Sequence, residues 1–296
     1  MRAYLLKVLQ EYPFQKTASD EIIRVYDLII ANTQTNCLLT EVLVAYEEDI
    51  NCDEKKLNEK VAAIAELLNI HLFSVRLVAI LCLSKKLKMR LIEKGISAEI
   101  IYRTIADVVG KSWETYDVYQ VVGVSGWSWF FGFLRLERFG IGRLQFEMAK
   151  FRLPFYEKDG RIVTDEDMVV NVHIPRSDIP FTPEECDKAY RAAKEFFAPH
   201  FKDGIVPFVC WSWLLYPKNR EILPEKSNVV QFLSRYDIIE MEEYTEAYNP
   251  VSHILFNREK MGDISTLPKD TSMRKRYAEF LQNGGQTGWG YGIFFL

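Results

Sequence analysis

Apolar residues change their spacing after about residue 122, and this change predicts two domains of different architecture. In the first part they recur at helical spacing, as do Leu57, Val61, Ile64 and Leu68. From about Trp127 the period shortens to two, as in the segment from Arg143 to Met148, which is typical of a half-buried strand. We therefore predict a helical domain over residues 1–122 and a mixed-sheet domain over residues 123–296, joined at the glycine-bearing stretch 123–126.

The helical domain carries start and stop signals. Ser19, Asp53 and Ser97 precede apolar stripes and are predicted N-caps, because their side-chain oxygens can accept hydrogen bonds from the first turn of a helix. Gly95 follows a Lys-rich turn and is predicted to lie just beyond the end of another helix. The predicted helices include residues 73–93, 98–109 and 113–122.

The residue pattern of the second domain predicts alternating strands and helices. Predicted strands cover residues 143–148, 168–174, 206–215 and 237–245, and Asp159-Gly160 marks a hairpin turn. Thr182 and Pro183 begin a helix that runs to about residue 201, with Glu185 completing a capping box; further helices are predicted over 222–235 and 271–283. Strand–helix–strand units imply a partly parallel sheet. The predicted fold class is thus α+β or α/β, an N-terminal helical domain followed by a mixed sheet with flanking helices.

Composition and charge exclude several classes of protein. With 37 Lys and Arg against 41 Asp and Glu, the net charge is -4, so nucleic acid is not an expected partner. The five cysteines form no CxxC pair and the four histidines no HExxH motif, so we predict neither a disulfide framework nor a metal site. The longest apolar stretch, residues 118–134, is interrupted by polar residues and is too short for a bilayer span. With an N-terminus that lacks a signal-peptide pattern, this predicts a cytoplasmic protein with no membrane partner.

Short motifs in the second half carry a resemblance to a known family. In chain order they are Arg138-Phe139-Gly140, His173-Ile174-Pro175, Phe196-Phe197, Cys210 to Leu215, Leu223-Pro224, Ser227-Asn228 and Gly288 to Gly292. This part, about residues 125–296, resembles the GNAT-like C-terminal domain of a bacterial acyltransferase family whose members pair it with a helical N-acyltransferase N-terminal domain. Where a His after the cysteine is expected in that family, this chain has Trp211, which argues against a proton-transfer role at that position.

The resemblance implies transfer of an acyl group from an acyl-CoA, such as acetyl-CoA, to a small-molecule or peptide amine. In the GNAT fold the pantetheine arm enters a V between two splayed strands, here 168–174 and 206–215. The helix between them holds the CoA pyrophosphate at its N-terminus. The residues that would contact the cofactor are Ile174, Arg176, Thr182, Glu184, Cys210 and Asn228.

One segment departs from the GNAT pattern. Members that bind CoA normally carry a Gln/Arg-x-x-Gly-x-Gly loop at the helix start, whereas residues 175–181 contain two prolines and no glycine. Glycines let a backbone approach a phosphate closely, and prolines remove N–H donors. Asp178 and Glu184 would also repel an anion, and Arg176 is the only nearby cation in the sequence. Either CoA binds in a different way, or the fold persists without this ligand.

Four residues are candidates for the chemistry itself. His173 could accept a proton from an attacking amine, or be a hydrogen-bonded core histidine. Glu147 could serve as the base if burial raises its pKa, or lie on a solvated strand face. Ser212 could bind substrate or simply bond a neighbouring carbonyl. Tyr216, like Tyr291, could protonate the leaving thiolate.

Other candidates also have two interpretations. Cys210 could be a nucleophile if a base or cation lay close to it, or a small buried apolar residue. Asn228 could cap a helix or reach the cleft. Trp211 and Trp213 share the face opposite Cys210, where they could stack on a ligand or pack beneath a helix; we predict the packing.

The leading hypothesis is an N-acyltransferase of GNAT-like fold. The amine would attack the thioester directly, with a base near His173 or Glu147 and backbone N–H groups holding the oxyanion. The alternative is a non-catalytic ligand- or protein-binding module on the same fold. A third hypothesis, a Cys–His hydrolase, requires Cys210 within hydrogen-bond reach of a histidine.

Overall fold

The computed structural model describes residues 1–245 and 249–296, which form two compact units, Met1–Gly140 and Ile141–Leu296. The first is helical, and the second contains a mixed sheet with flanking helices, so the predicted fold class is confirmed. The packing of the chain divides it between Gly140 and Ile141. The domain boundary between residues 122 and 123, which rests on the spacing of apolar residues, stays a prediction.

The helical unit is organised around one central helix, α5 (Leu72–Glu93). Its residues are buried without interruption from Leu77 to Ser84, as expected for a helix that is covered on all sides. Six other helices pack against it. They are α1 (Arg2–Glu11), α2 (Lys16–Ala31), α3 (Thr33–Glu48), α4 (Glu54–Leu68), α6 (Ala98–Tyr119) and α7 (Phe131–Leu134).

The predicted caps of this unit are right at two of three positions. Asp53 and Ser97 accept backbone hydrogen bonds at the starts of α4 and α6. The prediction for Ser19 is wrong, because α2 already begins at Lys16.

The helices predicted over residues 98–109 and 113–122 are a single helix, α6. Its buried stripe continues without a break from Val108 to Thr115, so packing holds the two segments in one helix. In the described residues no single helix is long and apolar enough to cross a membrane. Helices α2 and α3 reach that length and apolarity only as a pair, and a bend of 108° separates them.

The second unit contains most of a six-stranded sheet in the order β1-β2-β5-β6-β8-β7, whose first strand begins three residues before Ile141; β3 and β4 form a separate hairpin. The strands are β1 (Arg138–Ile141), β2 (Leu144–Lys150), β3 (Phe155–Lys158), β4 (Arg161–Thr164), β5 (Met168–His173), β6 (Pro207–Ser212), β7 (Asp237–Glu243) and β8 (Gly288–Phe295). The helices are α8 (Pro183–Phe197), α9 (Asn219–Ile222), α10 (Asn228–Leu233), α11 (Pro250–Ile254) and α12 (Ser272–Gln282).

Several predicted elements of this unit have different lengths in the structure. The helix predicted over 222–235 is two short helices, α9 and α10, since Pro224 between them cannot continue a helix. The strand predicted over 206–215 ends at Ser212, where a tight turn begins. The hairpin turn is confirmed: Asp159 and Gly160 both have positive φ, as a two-residue turn between right-twisted strands requires.

The two faces of the sheet have different coverings. On one face, rings from the strands and from α8 and α10 pack together, including Phe146, Phe208, Tyr190 and Phe232. On the other, Phe151 and Tyr156 pack against Val209, Tyr291 and Ile293, with the β3–β4 hairpin contributing to that core. We call these the helix face and the hairpin face.

Candidate active site

Strands β5 and β6 run parallel but pair over only a short distance. Their paired positions are Val170 with Phe208 and Asn171 with Val209. Strand β5 continues to His173, and β6 continues to Ser212 while pairing on its other side with β8. The backbone ladder between β5 and β6 therefore ends at Asn171 and Val209, and the residues of the two strands beyond them are not paired with each other. This unpaired stretch is where the GNAT resemblance predicts a V-shaped opening, and we call it the V.

A carboxylate and an imidazole meet at the mouth of this opening. Antiparallel pairing of β2 with β5 puts Glu147 opposite Asn171 on the hairpin face, next to His173. The His173 Nε2 atom lies 2.7 Å from Glu147 Oε1, and the Asn171 amide donates to the same oxygen at 3.0 Å. Both side chains of the pair are about four-fifths buried. The Asn171 amide nitrogen also lies 3.2 Å from His173 Nε2. With the ring proton on Nε2, the imidazole donates to Glu147 and the Asn171 amide also donates to that carboxylate; Nδ1 is then the basic nitrogen of the neutral ring.

The two predicted bases are thus brought together as one unit. The sequence placed each on a strand face, but it did not give the register that makes them neighbours. A carboxylate that holds the N–H of an imidazole fixes its tautomer and stabilises the imidazolium formed on proton uptake. The pair can therefore act as a general base for a group that enters the V.

Helix α8 begins as predicted beside the V, but its first N–H groups already have partners. Thr182 Oγ1 accepts from the Glu185 N–H, and Pro183 has no N–H to offer. A hydrogen bond to its own backbone N–H lowers the pKa of the Glu184 carboxyl, with a further contribution from Thr182. A complete capping box would also have the Glu185 side chain accepting from the Thr182 N–H, but Glu185 forms an ion pair with Lys188 instead. The helix start therefore presents few backbone donors to an anion.

A second arginine, which was not among the predicted site residues, lies against the glycine-free loop. Arg143 is 7% exposed, donates from Nη1 to the Pro175 carbonyl at 2.8 Å, and lies over the Phe181 ring. Its Nε is buried without a hydrogen-bond partner in the described residues. Burial lowers the pKa of its guanidinium, which nevertheless remains charged. Arg176 is therefore not the only cation near the loop. No local sequence signal marks this contact, because it joins the residue before β2 to the loop after β5.

Cys210 lies on the helix face, whereas His173 lies on the hairpin face. It is fully buried, and burial raises the pKa of its thiol far above the ordinary value. Because successive side chains of a strand point to opposite faces of the sheet, the Cys210 thiol lies on the face opposite His173. A protonated thiol is also a poor nucleophile. The Cys–His hydrolase hypothesis is therefore not supported.

The two other residues predicted for catalysis have local partners. Ser212 Oγ accepts from the Leu214 N–H and begins the turn after β6. Tyr216 is nearly buried and donates to Glu243, which also pairs with Lys218. Burial raises the pKa of the Tyr216 phenol, so it stays protonated at neutral pH.

The remaining residues predicted to contact CoA are spread along the same end of the sheet. Ile174 follows β5 directly, and Arg176 is exposed in the loop after it. Asn228 is the first residue of α10 and is exposed, but the cap of that helix is Ser227, which accepts from Val230 N–H. Asn228 is therefore not the capping residue.

Aromatic side chains line the hairpin face beside the V. Trp211 is 54% exposed, and its ring meets the edge of Trp289 at 5.4 Å. The Arg152 guanidinium lies 5.1–5.2 Å from the ring centres of Trp211, Trp289 and Tyr291 and pairs with Glu240. The prediction that Trp211 packs beneath a helix is wrong, because the helices cover the other face. Trp213 does contact a helix, through Tyr277 of α12.

No group of three or more His, Cys, Asp or Glu side chains that could hold a metal ion occurs in residues 1–245 and 249–296.

Comparison with protein families gives a match to the GNAT-like C-terminal domain over residues 139–294. The chain belongs to the GNAT-like C-terminal domain family. Comparison with curated protein sequences gives no match.

Solved structures of acyltransferases share the fold of this GNAT-like protein over nearly its whole length. One, an acyltransferase in complex with decanoyl-CoA and teicoplanin, has a TM-score of 0.71 and 17% identity, covering 98% of this chain and 87% of that one. An acyltransferase in complex with CoA and 10C-Teicoplanin has a TM-score of 0.70 and 17% identity, covering 97% and 86%. A third, with decanoyl-CoA, has a TM-score of 0.68 and 18% identity, again over 97% and 86%. At this identity the similarity establishes the fold.

Proposed function

We propose that this protein is an N-acyltransferase that moves an acyl group from an acyl-CoA to an amine. The observation that carries the proposal is the V between β5 and β6, with the Glu147–His173 pair at its mouth. An opening of this kind, bordered by a buried acid–base pair, suits a reaction that removes a proton from a nucleophile. Membership of the GNAT-like family and the fold shared with acyl-CoA-bound acyltransferases support the same donor.

In the proposed complex the pantetheine arm lies in the V as an added strand. The edges of β5 and β6 that face each other beyond Asn171 and Val209 are outside the ladder, so their backbone groups can pair with the amides of pantetheine. The acyl thioester would then lie near His173.

The pyrophosphate would be held by arginine side chains rather than by a glycine-rich backbone loop. Arg143 lies against the loop with a buried Nε that has no hydrogen-bond partner in the described residues, and a shift of this side chain on CoA binding would let it donate to a phosphate oxygen. Arg176, exposed in the same loop, adds a second positive charge. This arrangement accounts for a loop that has two prolines and for a helix start whose N–H groups are already bonded.

The chemistry follows from the protonation state of the pair. The amine nitrogen forms a bond to the thioester carbonyl carbon, and His173 accepts a proton from that nitrogen while Glu147 stabilises the imidazolium. Collapse of the tetrahedral adduct breaks the C–S bond. The His173 imidazolium gives this proton to the departing CoA sulfur, which leaves as a thiol, so the products are an amide and CoA and the imidazole is neutral again.

The experiment is a coupled assay of CoA thiol release and product mass, with acetyl-CoA and decanoyl-CoA as donors and primary amines as acceptors. We expect amide formation, and His173→Ala should lower the rate by about 10²- to 10⁴-fold, the usual contribution of a general base. His200→Ala, at an exposed histidine just after α8, is the matched control and should keep the rate of the parent protein. An unchanged rate in His173→Ala would contradict the proposed base.

A second candidate, a binding module without catalysis, is favoured by one observation. At the start of α8 the Glu185 N–H already donates to Thr182 Oγ1, and Pro183 has no N–H. If that hypothesis is right, CoA binds weakly or not at all and no amine is acylated.

We further propose that the protein acts in the bacterial cytoplasm, without a nucleic-acid or membrane partner, a setting in which its free thiols stay reduced.

A further inference from the structure

The hairpin face carries an exposed tryptophan directly beside the V. Counting two residues beyond the last paired positions, Asn171 and Val209, leads to His173 on β5 and Trp211 on β6. Because parallel strands in register send equivalent side chains to one face, His173 and Trp211 border the opening on the same side. An amine that approaches His173 on this face from the β6 side therefore passes the Trp211 ring.

The ring is held by a rigid support. Trp289 meets Trp211 edge-on and is itself 7% exposed, and Tyr291, opposite Trp211 across the β6–β8 ladder, is 3% exposed. The Arg152 guanidinium lies over these three rings, held by its ion pair with Glu240. A half-exposed tryptophan fixed in this way presents a flat apolar surface whose side-chain entropy has already been lost.

The charge on this face complements a cation. Glu147 lies on it at the V, and the register of β7 with β8 adds Glu240 opposite Tyr291 and Glu242 opposite Trp289. Arg152 is the counter-charge within the aromatic group, and it is paired with Glu240. The surroundings of Trp211 therefore favour a positively charged group with an apolar body.

We propose that Trp211, supported by Trp289 and Arg152, is the acceptor platform, and that the acceptor is an amine carried on an aromatic ring system. The inference rests on the proposed acyl transfer and adds the substrate class to it. The ring stacks on Trp211, and the amine reaches over the V toward His173. The acidic residues of the face attract the ammonium form, which loses one proton to solvent and then attacks as the neutral amine.

The test compares three amines of similar size: 2-phenylethylamine, 2-cyclohexylethylamine and hexylamine, each with acetyl-CoA. We expect kcat/KM to be highest for 2-phenylethylamine, and Trp211→Ala to lower it about tenfold, as expected for loss of an aromatic pair. Trp211→Ala should change kcat/KM for hexylamine by less than about twofold. Trp211→Phe should retain most of the preference for 2-phenylethylamine over hexylamine. Phe155→Ala is the matched control, since Phe155 is 56% exposed on β3 and alternates with the inward-facing Tyr156.

Each outcome separates the two claims. Acylation of all three amines at similar rates, or an equal loss for all three in Trp211→Ala, overturns the aromatic platform and leaves acyl transfer standing. Binding of CoA with no acylation of any amine overturns the proposed function and the platform with it. Because Trp211 is more than half exposed, the variant is expected to fold, and its melting temperature checks this directly.

Discussion

His173 and Glu147 lie on neighbouring antiparallel strands with their Nε2 and Oε1 atoms 2.7 Å apart. Replacing Glu147 by Gln keeps the shape of the side chain but removes the charge that stabilises the imidazolium. We expect kcat to fall by at least about tenfold, with the KM for acyl-CoA little changed, because the carboxylate acts on the proton transfer. Steady-state kinetics across a pH series measures both parameters.

Two comparisons make this prediction specific. Glu166→Gln removes a carboxylate whose side chain is 91% exposed, and it should leave kcat unchanged. The double variant Glu147→Gln with His173→Ala should be no slower than His173→Ala alone, because the two residues act as one unit. Additive losses would mean that the carboxylate and the imidazole act separately.

Replacing Arg143 by Met tests the proposed phosphate contact. Met preserves much of the buried apolar stem and removes the guanidinium, so the Kd for CoA should rise by about 10- to 100-fold, the value of a hydrogen bond to a charged group. Pantetheine has no phosphate, and its affinity should not change. Calorimetry with the two ligands makes the comparison, and Arg191→Met, at an exposed position on α8, is the control. An equal loss for CoA and pantetheine would show that Arg143 supports the fold only.

Gly290 lies where β8 passes the turn after β6. A Cβ at this position would be 2.2 Å from the Leu215 carbonyl oxygen, and β8 is paired on both sides, so neither backbone can move away. We expect Gly290→Ala to destabilise the protein by about 2 kcal/mol, as overpacking does. At Gly126 the nearest atom to an added Cβ is 3.7 Å away, so Gly126→Ala should change stability by less than about 0.5 kcal/mol. Thermal unfolding followed by circular dichroism compares them; equal melting temperatures would contradict the close approach.

Buried thiols make stability fall at alkaline pH. Burial raises the pKa of Cys186 to about 11 and that of Cys82 to about 12. An unfolded chain ionises its thiols near their ordinary pKa, around 8.5. The folded state therefore binds more protons above this pH, so the thiol contribution is complete below it and is lost as pH rises toward 11–12. The melting temperature should decline over this range, and the decline should be shallower in Cys186→Ala. An identical slope in that variant would contradict the assignment.

The elements around the site could be predicted because their signals are local. Thr182 and Pro183 mark the start of α8, and alternation marks β5 and the common face of Asn171 and His173. The hairpin turn at Asp159-Gly160 is equally local, since it depends on two residues that accept positive φ.

The parts that could not be predicted depend on contacts between distant segments. The register of β2 against β5 brings Glu147 to His173 and is set by tertiary packing, and the contact of Arg143 with Pro175 likewise joins distant segments. The period of two puts Trp211 on the face opposite Cys210, but it does not say which face the helices cover. For the same reason the sequence could not show that α6 continues past residue 110.

The central claim is that the V between β5 and β6 holds the pantetheine arm of an acyl-CoA. Isothermal titration of the full chain with CoA and with acetyl-CoA tests it most directly. We expect saturable binding of one molecule per chain for both ligands, weakened in Arg143→Met. Absence of binding at millimolar concentrations of both ligands would contradict the account.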